Sequence, residues 1–92
     1  MPRWIAIGKA PGWDTAQHLG NHMKATKEWR ADARTTIHTV MALGDGRLIA
    51  ECHCVKQEDF EAWLKKKGWT VESISPIKLI ANVGSIWDGQ NP

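Results

Sequence analysis

Residues 37–54 read IHTVMALGDGRLIAECHC, and this stretch restricts the possible folds more than any other. Segments 35–43 and 47–55 alternate in polarity around Gly44-Asp45-Gly46, and Asp-Gly in such a setting is the strongest short-range signal for a β-hairpin. With Asp45 and Gly46 as the central turn residues, Leu43 opposes Leu48, Met41 opposes Ala50, Thr39 opposes Cys52 and Ile37 opposes Cys54. That register predicts one apolar face. A slip of one residue sets Arg47, Glu51 and His53 among those apolar side chains, so the two-residue turn is expected.

The flanking segments extend the pattern. RWIAIGK, residues 3–9, reads as a buried strand stopped by Ala10-Pro11-Gly12. Asp14 or Thr15 is placed to cap a helix running to about Ala33, with Ala16, Leu19, Met23, Thr26 and Ala33 on one face, flanked by His22 and Trp29. After the hairpin, QEDFEAWLKKKGW places Phe60, Trp63 and Leu64 at helical spacing, with acids in the first turn and lysines in the last. Gly68 is then a left-handed helix stop, and Trp69 packs back on Leu64. ISPIKLIA, residues 74–81, predicts a last strand in which Pro76 fits an edge. Residues 82–92 are expected as a C-terminal tail anchored by Ile86 and Trp87.

The order strand, helix, strand, strand, helix, strand is the ferredoxin-like βαββαβ pattern. An α+β fold is expected over residues 1–92 as a single domain: an antiparallel four-stranded sheet with two helices on one face. A sheet covered on one side only needs a second cover, and a homodimer supplies it. At 92 residues the core is modest, which favours the same solution.

With twelve basic and ten acidic residues spread along the chain, the net charge of +2 leaves no electrostatic footprint for nucleic acid. The run Lys65-Lys66-Lys67 reads as the solvated last turn of a helix. The apolar stretch at the start is too brief for a signal core or a membrane span, so no membrane association is expected and a cytoplasmic location is. Cys52 and Cys54 share one face of a strand, in poor geometry for a disulfide, and are expected as reduced, buried, small hydrophobes. The six tryptophans are scattered, which suits a core or subunit interface.

MPRWIAIGK, the block GDGRLIAECHCVKQEDFEAWLKKKGW and the apolar last strand together resemble the dimeric α+β barrel superfamily. Within it, the chain looks similar to small bacterial proteins related to the nickel-responsive ferredoxin-like proteins. The resemblance implies a ferredoxin-like fold and dimerisation. Cofactor-independent monooxygenases, isomerase-like enzymes and binding proteins share that fold, so the resemblance does not select a function.

Chemistry is expected on the open face of the hairpin. There His38 opposes His53, Val40 opposes Glu51, and opposed β-carbons lie about 4.5 to 5.5 Å apart. His38, Glu51 and His53 are therefore candidate ligands of a divalent transition metal such as nickel, zinc or copper. Paired histidines that only hydrogen-bond at an interface are the simpler reading of the same residues. A second functional reading has Ile5 and Ile7 facing the helices. Trp4, Ala6, Val40 and Lys78 then line a small-molecule pocket with the histidines, in which His38 or His53 acts as a base and Lys78 as an electrostatic stabiliser. A third reading is a dimerising module without chemistry. His18 and His22, one helical turn apart, read as surface or packing residues. Nucleophile elbows, phosphate loops and Cys-x-x-Cys motifs are absent from the sequence.

Overall fold

The computed structural model describes residues 2–82 and 84–88. Strand β1 (Arg3–Lys9) leads to helix α1 (Ala16–Met23), a single helical turn α2 (Thr26–Trp29) and a short strand β2 (Arg30–Asp32). The hairpin β3 (Thr35–Ala42) and β4 (Leu48–His53) follows, then helix α3 (Gln57–Lys66) and strand β5 (Thr70–Pro76). Strands β6 (Leu79–Asn82) and β7 (Ser85–Asp88) close the described chain. The main sheet is antiparallel and five-stranded in the order β2-β3-β4-β1-β5, with β6 and β7 paired separately. The mixed α+β class follows the sequence, whereas the count of four strands and two helices does not.

Two departures produce that difference. The helix expected from Asp14 or Thr15 to Ala33 breaks after Met23. Thr15 caps α1 as expected, its hydroxyl accepting from the His18 N–H at 3.1 Å. At the other end the Trp29 indole donates to the Met23 carbonyl at 2.6 Å, satisfying an acceptor that a longer helix would have used. Ala25 is extended, and residues 30–32 leave the helix to pair with β3 as an extra edge strand. The last strand is also earlier than expected. Residues 70–76 pair with β1, whereas 79–82 turn back against 85–88, replacing the expected start of a tail with a hairpin. The anchoring expected of Ile86 and Trp87 lies outside the described side chains.

Helix α3 ends as its sequence requires. Gly68 has φ +81°, its N–H reaches the Lys65 carbonyl and the Trp69 N–H reaches the Leu64 carbonyl, both at 3.0 Å. These are the two bonds of a Schellman motif, and they carry Trp69 into the core, where it is 6% exposed. Trp13, Trp63 and Trp69 meet edge to face or tilted, with centroids 5.4 to 6.4 Å apart. Phe60, Leu64 and Met23 join them, and the sheet contributes Ala6, Ile37, Leu48, Ala50 and Cys52.

On this side β1 meets the core with Ala6 and Gly8 rather than with its isoleucines. Gly8 also lets the edge strand close in: a β-carbon there would lie 2.5 Å from the Thr70 carbonyl oxygen. The face assignment of β1 read from the sequence is thus inverted. Trp4 and Ala6 face the core, and Ile5 and Ile7 take the other side.

The hairpin register also differs by one residue. Leu43 donates to the Arg47 carbonyl at 2.8 Å and Gly46 donates to the Leu43 carbonyl at 3.1 Å, with Gly46 at φ +89°. This is a three-residue loop with a left-handed third residue, the next commonest hairpin solution after the two-residue turn. Val40 consequently opposes Ala50 and Met41 opposes Ile49. A bulge between Ile37 and Thr39 shifts the register by one residue more, so Ile37 opposes Cys52 in place of the expected Cys54 and keeps its core-facing side. Residues 40–43, VMAL, are apolar at every position, so either parity offers a greasy face. The slip moves no charged residue of β4 inward, because β1 and the helices hold that strand while β3 changes face around the bulge.

Candidate functional site

The face of the sheet away from the tryptophans carries Arg3, Ile5 and Ile7 from β1. Opposite them on β4 lie His53, Glu51 and Ile49 in that order. Strand β3 adds Thr39 and Met41 beside Glu51 and Ile49, and β5 adds Ser75 and Ser73 beside Ile5 and Ile7. The isoleucines are half-buried and Met41 is 44% exposed. One end of this face is therefore apolar and the other polar.

The polar end is a connected chain of hydrogen bonds. The Arg3 guanidinium donates through one terminal nitrogen to Glu51 Oε1 at 2.9 Å, and through Nε to His53 Nε2. His53 Nδ1 then meets His38 Nε2 at 3.0 Å, the two rings edge to face with centroids 3.9 Å apart. His38 reaches His53 from the bulge of β3, where Thr36 and not His38 is the strand partner of His53. The bulge re-aims a side chain onto a neighbouring strand's functional group, as such irregularities often do.

Direction follows from the donors. Arg3 has only N–H groups to offer, so the Nε2 atom of His53 must present its lone pair. Neutral His53 then carries its proton on Nδ1 and donates to His38 Nε2, which places the His38 proton on Nδ1. Burial pushes the His53 pKa down to about 4, reinforced by its neighbours His38 and Arg3 and by the positive charge of the amino terminus. His38 is also lowered, first by burial and then by Arg3, with Glu51 opposing. Both rings are neutral at pH 7, and the polar chain runs in one direction from Arg3 to His38.

The structure brings the three expected metal ligands near one another, but with Arg3 among them. The guanidinium occupies one lone pair of His53 and one oxygen of Glu51, and the His38 and His53 nitrogens that face each other share a proton. Among the described residues no group of three or more histidine, cysteine, aspartate or glutamate side chains could hold a metal ion.

The expected pocket lining is rearranged. Trp4 and Ala6 lie on the core side, where the Trp4 indole donates to the Cys54 carbonyl at 2.9 Å. Val40 also lies on the helix side, beside Leu19, Met23 and Trp29 in an open apolar groove of about 640 Å³. Lys78 lies exposed in the link between β5 and β6. Ile5, Ile7 and Ile49 take the places assigned to these residues on the open face. Arg3 is outside the expected site, and its place there follows from the parity of β1, in which Trp4, Ala6 and Gly8 take the core side.

The remaining candidates are packing or surface residues. His22 stacks on Trp13 at 4.1 Å and 5°, and His18 contacts Asp14 at 3.3 Å. Cys52 and Cys54 are fully buried and free, and burial raises both thiol pKa values. No helix among the described residues is long and apolar enough to cross a membrane. No family model, curated protein or solved structure matches the chain.

Proposed function

We propose that this protein is a small homodimeric binding protein of the ferredoxin-like, dimeric α+β barrel type, whose open sheet face holds a small organic ligand against a second copy. The central order β3-β4-β1-β5 is the strand order of that fold, and β2 and the β6–β7 hairpin are additions to it. The observation that carries the reading is the composition of the open face, where Ile5, Ile7, Ile49 and Met41 adjoin the chain Arg3, His53 and His38. Apolar walls with a few convergent polar groups are what a small-molecule site needs. A second copy on this face would remove the isoleucines from water and enclose the polar end.

Arg3 favours an organic ligand over a metal ion, because a metal would have to displace the guanidinium from both His53 and Glu51. A cytoplasmic location belongs to the same reading. The test is light scattering on the wild-type chain and on Ile7→Lys/Ile49→Lys. Dimeric wild type and a folded monomeric variant are expected. A wild type that is monomeric at micromolar concentration would remove the basis of the proposal.

A further inference from the structure

We infer that the site takes a small, uncharged molecule with an apolar body and a carbonyl-type oxygen, and that the Nδ1–H of His38 recognises that oxygen. The inference rests on the reading of the open face as a ligand site and adds the class of ligand.

The argument is one of donors and charge. Arg3 donates to His53, and His53 can only donate to His38. His53 is the only hydrogen-bond partner of the His38 side chain among the described residues, and that bond uses Nε2. The nitrogen left over is Nδ1, and the direction of the chain makes it a donor. His38 is exposed on the open face, so the chain ends in an N–H offered to whatever lies there. A ligand group that can only donate would set donor against donor and lose the bond.

Charge separates the acceptors. Glu51 bonds the same guanidinium at 2.9 Å, so Arg3 already has its carboxylate, beside two neutral imidazoles. The amino terminus adds a second positive charge acting on His53, and against it stands the cost of desolvating a ligand carboxylate between two sheets, far larger than that of a neutral carbonyl. A neutral carbonyl loses little on desolvation and gains the N–H, while the rest of the molecule lies on Ile5, Ile7 and Ile49. His38 as oriented has no free lone pair, so it acts as a hydrogen-bond donor to the ligand and not as a base.

The test uses the full chain at neutral pH. Long-range proton–nitrogen correlation spectra of the imidazoles should show His38 and His53 both protonated on Nδ1. Acetophenone, 1-phenylethylamine and benzoate share nearly one shape and differ in the polar group. Acetophenone should bind about tenfold tighter than either, the worth of about one hydrogen bond, and should move the His38 Nδ1 signal. Arg3→Met keeps the alkyl stem on the sheet but removes the donor. In that variant the protons should redistribute toward Nε2 and the preference for acetophenone should vanish. Protonation of either ring on Nε2 in wild type, or benzoate or the amine binding as tightly as the ketone, overturns the ligand class while leaving the open face as a site. If none of the three probes shifts the signals of Ile5, Ile7 or Ile49 at millimolar concentration, the binding reading itself falls with it.

Discussion

The neutral state of His53 makes stability depend on acid in a specific window. In the unfolded chain this imidazole titrates near 6.5, and in the folded protein near 4. Between those values the unfolded state takes up a proton that the native state refuses, so stability falls as pH drops from 6.5 to 4 and this contribution levels off below 4. At about 1.36 kcal/mol for each tenfold change in proton concentration, the gap corresponds to about 3.4 kcal/mol. The ring is only half-buried, and screening by solvent reduces the loss to roughly 1 to 2 kcal/mol. Urea denaturation at pH 7 and pH 4.5, on wild type and on His53→Gln, isolates this contribution from the carboxylates. Glutamine cannot be protonated and fills a similar volume, so the variant should lose roughly 1 kcal/mol less than wild type between the two conditions. Equal losses in both proteins, or a histidine titration by NMR that places His53 at 6.5 or above, would refute the account of its environment.

Three further outcomes follow from the packing. Gly8→Ala should cost about 2 kcal/mol or more in urea denaturation, because the added carbon meets the Thr70 carbonyl oxygen at 2.5 Å and backbone must move to admit it; a neutral result would mean that β5 is not held against β1 as described. Cys52 and Cys54 should resist a thiol reagent in the folded protein and react promptly in urea, since both are buried and their thiolates disfavoured. Trp29→Phe removes the indole donor to the Met23 carbonyl and should lower stability by about 1 kcal/mol, with the fastest amide exchange appearing at the end of α1.

Much of the chain could be read in one dimension because its signals were local. The Schellman stop at Gly68 and Trp69, the Thr15 cap, the helix from Gln57 and the burial of Cys52 and Cys54 each depend on a few adjacent residues and on period. The two histidines were legible as near one another but not in the way they meet: the expected register puts His38 opposite His53, whereas Thr36 takes that place and a bulge brings the His38 ring across. The faces of β1 and of the second half of β3 were not legible. Residues 40–43 are uniformly apolar, and in RWIAIGK both parities offer apolar residues, so alternation there carried no information. Arg3 was hidden for the same reason, because its place beside His53 follows from the parity of β1.

The sequence alone thus determined the α+β class, the hairpin and the caps, all of which follow from short-range steric and hydrogen-bonding rules. Tertiary structure decided which side of each strand meets the core. Ala6 and Ala50 are fully buried in the tryptophan-rich core and a β-carbon at Gly8 would lie 2.5 Å from the Thr70 carbonyl oxygen, an arrangement that leaves Arg3, Ile5 and Ile7 on the outward face. It also decided what the histidines can do, because only the assembled sheet places a guanidinium against the nitrogen that a metal would need.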